Sequence, residues 1–106
     1  MFERPDTYGV PAAPNECVVR GPVKSNRPSP EGVGRLWEMK VEETDDVDGK
    51  RNFARSRVGG EISVLVPPGE AKGVKKGDRV EARLCYEGDE RGGTFILKEG
   101  GARKLS

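Results

Sequence analysis

The chain alternates apolar and polar residues over several short segments that glycine and proline separate. The clearest segment runs from Arg35 to Glu43, where Trp37, Met39 and Val41 share one face and charged residues dominate the other. A period of two residues is typical of a β-strand with one buried face. No segment shows the pattern of a helix of ordinary length. We therefore expect an all-β protein.

Similar alternation predicts further strands at residues 17–25, 51–58, 61–66, 78–86 and 94–99. Pro22 favours an edge position or a bulge in the first of them, because proline donates no ladder hydrogen bond. Segments 25–34, 44–50 and 69–77 are rich in turn-forming or acidic residues and are predicted as loops. Five or six short strands leave no open edge only if they close on themselves. The prediction is a small closed Greek-key barrel of five or six strands.

A chain of 106 residues with 33% hydrophobic residues has room for one domain with a modest core. We assign residues 17–99 to the barrel and residues 100–106 to a frayed basic tail. Residues 1–16 contain Pro5, Pro11 and Pro14, and are predicted to be an extended, flexible, proline-rich arm. This arm is either an unattached tail or a segment that covers a groove or a partner.

The charges nearly cancel over the whole chain, with 19 basic and 18 acidic residues and a net charge of +1. No overall field therefore attracts nucleic acid or an anionic membrane, and any such contact must be local. One local excess exists: residues 50–58 hold four basic residues, Lys50, Arg51, Arg55 and Arg57, and no acidic one.

Read as a strand, residues 50–58 have two unlike faces. Alternation turns Phe53, Arg55 and Arg57 toward solvent and places Ala54, Ser56 and Val58 on the core side. An aromatic ring between cations suits a single nucleic-acid strand, because bases stack on rings and phosphates pair with cations. The alternative is an ordinary solvated strand face with Phe53 folded over the barrel mouth.

Three segments resemble corresponding strands and turns of the oligonucleotide-binding fold, in particular of archaeal-type single-stranded-DNA-binding proteins: residues 48–55 (DGKRNFAR), 60–66 (GEISVLV) and 74–80 (VKKGDRV). The similarity covers about residues 34–99. It implies binding of single-stranded DNA or RNA across the second and third strands of the barrel. The loops joining strands one to two and four to five would flank the bound strand.

Two further aromatic residues are ambiguous. Trp37 shares a face with Met39 and Val41, which favours the core, although a bulge or a rim position would expose it to a base. Tyr86 ends its predicted strand, inward by parity but near the rim. The candidate nucleic-acid-binding residues are Phe53, Arg55, Arg57, Arg51, Lys50, Trp37 and Tyr86.

The sequence offers little for metal or acid-base chemistry. It has no histidine, and Cys17 and Cys85 stand far apart without a CxxC pair. We expect free thiols, no cofactor and no metal. The acidic residues between Glu42 and Asp48 lack calcium-loop spacing and are expected to be a solvated loop. No paired carboxylates, nucleophile or base form a catalytic set, so we do not expect an enzyme.

The leading expectation is a non-catalytic barrel that binds single-stranded DNA or RNA with little sequence preference. The alternative is a protein-interaction or assembly module that uses the same barrel and its arm, as a homo-oligomer or with another protein. A ribosome-associated barrel would differ in preferring structured RNA. The chain shows neither an apolar leader nor a membrane-spanning run, which favours the cytoplasm.

Overall fold

The computed structural model describes residues 14–89 and 92–105. They form six strands: β1 (Cys17–Pro28), β2 (Arg35–Lys40), β3 (Glu43–Asp46), β4 (Glu61–Val66), β5 (Arg79–Asp89) and β6 (Gly92–Lys104). One short 3₁₀ helix spans Arg55–Arg57, and the described part of the chain has no α-helix. The all-β prediction is confirmed. Residues 1–13 of the predicted arm lie outside the described residues.

Five strands close into a barrel. They follow the order β2-β4-β6-β5-β1, and β1 pairs with β2 to complete the ring. Only β4 and β6 run parallel, with Val64 opposite Phe95 and Leu65 opposite Ile96, while the other neighbours are antiparallel. The predicted closed barrel is confirmed. This topology is compatible with an oligonucleotide-binding-like fold.

The alternation of the sequence fills the barrel interior. Met39, Val64 and Leu84 have no exposed surface, and Trp37 is 1% exposed. The other buried apolar residues are Cys17, Val19, Val23, Val41, Ala54, Ile62, Val66, Val80, Ala82, Phe95 and Leu97. Strand parity therefore predicted the core correctly for β2, β4 and the first part of β5.

Strand β1 changes its partner along its length. Its first residues, Cys17–Arg20, pair with β3, and residues from Val23 onward pair with β2. At the crossing, a Cβ on Gly21 would lie 1.9 Å from the carbonyl oxygen of Lys40, so only glycine fits. A bulge follows between Val23 and Ser25, just after Pro22. The strand thus bends where the sequence placed an irregularity, and it continues to Pro28, past its predicted end.

The predicted acidic loop at 44–50 is wrong in its first part, because Glu43–Asp46 form β3 against β1. Arg20 of β1 supplies the reason. Its guanidinium donates to Asp45 at 2.6 Å and to Glu43 at 3.4 Å. These ion pairs neutralise charges that would otherwise repel along a short edge strand.

The predicted strand at 51–58 is also wrong. Asn52 accepts a hydrogen bond from the Ala54 amide at 2.8 Å, which starts a turn that leads into the 3₁₀ helix. Ala54 is fully buried, whereas Val58 is 52% exposed. The segment is anchored to the end of β2 by hydrogen bonds between Val41 and the backbone of Gly59 and Gly60. These contacts override the local period of two.

Both predicted barrel boundaries move outward. β6 continues past Glu99 to Lys104, where it pairs with Val80, so the predicted tail is strand over residues 100–104. A register shift between Ala82 and Leu84, beside Gly100 with a φ of 66°, lets the strand bend and go on. At the other end, Asn15 forms a parallel bridge with Arg51, so residues 14–16 of the predicted arm are docked.

Candidate functional site

Two aromatic rings form a partly exposed surface at one end of the barrel. Phe53 lies in the connection between β3 and β4, half-buried, and stacks on Tyr86 with ring centroids 5.1 Å apart at 28°. Tyr86 in turn packs edge-on against the buried Phe95 at 5.0 Å and 62°. The Arg51 guanidinium lies 5.4 Å from the centroid of the Phe53 ring. We call Arg51, Phe53 and Tyr86 the platform.

The platform rests on the barrel through Tyr86. An added Cβ on Gly93 would come within 2.8 Å of the Tyr86 ring, so the ring covers this glycine of the neighbouring strand. Three aromatic rings thus run in series from the surface to the core. Offset stacking and edge-on contacts favour such pairs by about 0.5 to 1.5 kcal/mol each beyond their burial. The outer ring is therefore fixed by packing and not by its loop alone.

A short strap, residues 14–16, ties both halves of the platform together. The Tyr86 amide donates to Asn15 Oδ1 at 2.6 Å, and Asn15 Nδ2 donates to the Tyr86 carbonyl at 3.0 Å. Arg51 donates its amide to the Pro14 carbonyl, and its carbonyl accepts from the Glu16 amide, both at 3.1 Å. The strap joins two backbone segments that are distant in sequence.

Glu16 gives the strap an ionic anchor. Its side chain is 5% exposed, and its carboxylate accepts from Arg83 at 2.6 Å and from Lys50 at 3.2 Å, with Lys98 at 3.7 Å. Burial alone would raise the pKa of Glu16, but the hydrogen bonds from Lys50 and Arg83 outweigh it and hold the pKa below its usual value. Lys50, a candidate binding residue, is therefore held by a carboxylate.

Arg55 is also paired. Its guanidinium donates to Asp46 of β3, which accepts from Asn52 Nδ2 at 3.0 Å as well. These bonds from Asn52 and Arg55 lower the pKa of Asp46, so it stays ionised. Arg55 nevertheless remains 64% exposed. Arg51 and Arg57 are exposed and form no ion pair with the described residues.

Of the candidate residues, the structure brings Arg51, Phe53 and Tyr86 into contact, while Lys50 and Arg55 pair with Glu16 and Asp46. Trp37 lies apart. It lies on β2, opposite Asn26 of β1 and Val64 of β4, and is 1% exposed. The core interpretation is therefore confirmed, and Trp37 has no surface from which to contact a base. Tyr86 is half-buried, between the two positions that the sequence left open.

A second surface was missed by the sequence reasoning. A groove of about 490 Å³ lies on the outer face of β2, β4 and β6, with Leu36, Leu65 and Ile96 as its apolar floor. The charged residues of its lining are Glu31 and Glu87, and no aromatic residue lines it. The signal was present in the sequence, because these three apolar residues occupy outward positions of the same alternation that predicted the core.

The thiols and remaining polar groups suggest no further site. Cys17 is buried and Cys85 half-buried, and both are free. Burial raises the pKa of the Cys17 thiol to about 11, which makes it a poor nucleophile. Within residues 14–89 and 92–105, no cluster of three metal-ligating side chains occurs, and no helix is long and apolar enough to cross a bilayer.

No protein-family model matches this chain, and neither a curated protein nor a solved structure shows significant similarity to it. The class of the protein therefore rests on its architecture, a closed five-stranded barrel with one additional strand. Its candidate site rests on the side chains at the platform.

Proposed function

We propose that this protein is a non-catalytic, single-stranded nucleic-acid-binding protein with little sequence preference. The platform stacks bases, and Arg51, Arg57 and Arg55 contact phosphates. The closed five-stranded barrel, which is compatible with an oligonucleotide-binding-like fold, supports this function. The two free thiols support a cytoplasmic location, because thiols stay reduced there.

One observation carries the proposal: a partly buried ring that its neighbours hold in place, with the guanidinium of Arg51, which forms no ion pair with the described residues, 5.4 Å from its centroid. A base that stacks on such a ring gains about 1 to 3 kcal/mol, and any base suffices because each has a π-face. A preformed ring loses little conformational entropy on binding. Free cations beside the ring attract phosphates without first breaking an ion pair.

The same groups explain why we propose a function without catalysis. Arginine, phenylalanine and the ring of tyrosine offer cations and flat faces. None of them forms a nucleophile-base pair, and the carboxylates nearest the platform, Glu16 and Asp46, are held by cations at lowered pKa. A general acid or base works best with a pKa near the working pH.

Binding of fluorescein-labelled oligo-dT and oligo-U to the full chain at low salt tests the function. We expect Phe53→Ala to weaken binding by about 5-fold to 150-fold, the equivalent of one lost stacked base. Val58→Ala is the matched control, because Val58 is an exposed apolar residue of the same segment and lies outside the platform. No binding by the wild-type chain, or equal losses in both variants, would overturn the proposal.

The groove favours a second candidate, a protein-interaction module. Its apolar floor and its two carboxylates, Glu31 and Glu87, which form no ion pair with the described residues, fit an extended segment of another protein that carries apolar side chains beside Lys or Arg. Size-exclusion chromatography with light scattering separates the two candidates. A stable assembly that does not bind oligonucleotides and that Leu65→Arg weakens would support the interaction module. A monomer whose elution volume and mass change on addition of oligo-dT would support nucleic-acid binding.

A further inference from the structure

Unpaired cations are also concentrated in the connection between β4 and β5 and on the adjoining part of β1. Lys24, Lys72, Lys75 and Lys76 are exposed, and none of their ammonium groups has an ion-pair partner among the described residues. Most other Lys and Arg side chains of the described residues form ion pairs with carboxylates. Arg20, for example, contacts three carboxylates, and Arg79 and Arg103 each contact one. We call the four lysines the lysine end.

The backbone that carries the lysine end is fixed. The Gly77 amide donates to the Val23 carbonyl at 2.7 Å, and the Val23 amide donates to the Asp78 carbonyl at 2.8 Å. The Asp78 carboxylate accepts from the Lys75 amide at 2.8 Å, and Asn26 Nδ2 donates to the Val74 carbonyl at 3.0 Å. The turn that presents Lys75 and Lys76 is thus clamped to β1 beside Lys24, which reduces the entropy lost on binding.

The lysine end has space for an anion. Lys24 and Lys76 line a cleft of about 300 Å³, whose other lining residues are Pro22, Val23 and Gly77. Lys72 lines a second cleft, whose other charged lining residues are Arg35 and Glu70. Gly77 has a φ of 95°, and nothing lies within 4 Å of where its Cβ would be. A phosphate can therefore enter the cleft that Lys24 and Lys76 line, while the Gly77 amide stays bonded to Val23.

Strand β5 connects the lysine end to the platform. The turn with Lys75 and Lys76 leads into β5 at Arg79, and Tyr86 stands further along that strand. At about 3.3 Å per residue the two positions are roughly 23 Å apart, a span that suits the roughly 4 to 16 nucleotides such barrels bind. We propose that the lysine end binds phosphates of the same single strand whose bases stack on the platform. This inference rests on the function proposed above.

The test separates charge from stacking. Binding of the full-length wild type to an oligo-dT of about 12 nucleotides is measured as salt is raised, and compared with Lys24→Gln/Lys75→Gln/Lys76→Gln. Each phosphate contact contributes about −0.7 to the slope of log K against log salt, so the triple variant is expected to flatten it by about 2 units. We expect its binding at low salt to weaken about tenfold or more.

Controls make the result specific. Lys40→Gln removes one exposed, unpaired lysine of β2 outside both surfaces and should leave the slope nearly unchanged. Replacing the three lysines by arginine keeps the charge and should retain the wild-type slope. An oligo-dT of about 2 nucleotides should bind the triple variant and the wild type alike, because it is too short to reach both surfaces.

The two proposals fail in different ways. If the wild type binds no oligonucleotide at low salt, the proposed function fails and this inference with it. A different result would overturn the lysine end alone. In that result the wild type binds and Phe53→Ala weakens binding, but the triple variant has the same salt slope and the same affinity as Lys40→Gln. A triple variant that loses affinity equally for both oligonucleotide lengths also overturns it, because the lysines would then act near the platform.

Discussion

The groove and the platform differ in both position and chemistry. The groove lies on the outer strand face where barrels of this topology commonly bind oligonucleotides, yet it offers aliphatic side chains and two carboxylates. The platform joins Arg51 and Phe53 of the connection between β3 and β4 to Tyr86 of β5, and offers partly buried rings and the Arg51 guanidinium, which forms no ion pair with the described residues. The comparison shows that a fold provides positions, while the function depends on which position carries suitable side chains.

The largest effect is expected at the ring that joins the platform to the core. Tyr86→Ala removes the contacts of Tyr86 with Phe53 and Phe95, and we expect it to lower the free energy of unfolding by about 2 to 4 kcal/mol. Urea denaturation measures this loss. Tyr86→Phe is the control and should stay within about 0.5 kcal/mol, because the hydroxyl bonds to no described residue. A loss below about 1 kcal/mol for the alanine variant would show that packing does not hold the platform.

Glu16 of the strap provides the next test. It forms ion pairs beside the platform, whereas the carboxylates of the groove form none with the described residues. Glu16→Gln keeps the shape but removes the charge that Arg83, Lys50 and Lys98 share. We expect a loss of about 1 to 2 kcal/mol at pH 7, reduced by the partial exposure of the three cations. Glu87→Gln in the groove, where no ion pair forms, should cost less than about 0.5 kcal/mol.

The pH dependence of this loss follows from the pKa of Glu16. Its pKa is lower in the folded chain than in the unfolded one, so Glu16 stabilises the fold above the unfolded value of about 4.3. That stabilisation disappears as the pH falls through the folded pKa and the carboxylate is protonated. The difference between wild type and Glu16→Gln should therefore be largest near pH 7 and shrink below about pH 4. A difference that grows toward acid would contradict the anchor.

Some of these features could be predicted from sequence and others could not. The core positions on β2, β4 and β5 followed from parity, because a barrel wall has one buried face. Residues 51–58 have the same parity, but of Ala54, Ser56 and Val58, which parity places on the core side, only Ala54 is buried. The Asn52 side chain begins a turn, so tertiary contacts decided the structure. A hydrophobic period of two over one short segment does not distinguish a strand from an irregular connection that buries one residue.

The candidate residues of the proposed site could be named from the sequence, but their contacts could not. The local excess of Lys50, Arg51, Arg55 and Arg57 around Phe53 was visible in the sequence. The partial neutralisation of this charge was not visible in the sequence, because Glu16 and Asp46 come close to Lys50 and Arg55 only when the chain folds. The stacking of Phe53 on Tyr86 likewise joins residues far apart in the chain. Such contacts depend on register, which composition does not specify.

Arg55 allows a smaller test in which affinity should rise. Asp46→Asn removes the charge that pairs with Arg55, while the new side chain can still accept a hydrogen bond from Asn52. We expect oligo-dT to bind about 2-fold to 5-fold more tightly at low salt, with a salt slope steeper by about 0.7 if Arg55 gains one phosphate. Asp48→Asn, which removes an exposed and unpaired charge nearby, controls for the change in net charge. Equal gains in both variants would show that Arg55 makes no specific contact.

The smallest expected effect decides which surface binds the oligonucleotide. Leu36→Ala and Leu65→Ala remove apolar contact area from the groove floor without changing any charge. If bases stack on the platform, each variant should bind oligo-dT within about twofold of wild type, because contacts that a ligand does not make cannot alter its affinity. The matched comparison is Phe53→Ala, measured with the same oligonucleotide and salt. A loss at Leu65 as large as that at Phe53 would place the bases across β2 and β4, with the platform only guiding phosphates toward them.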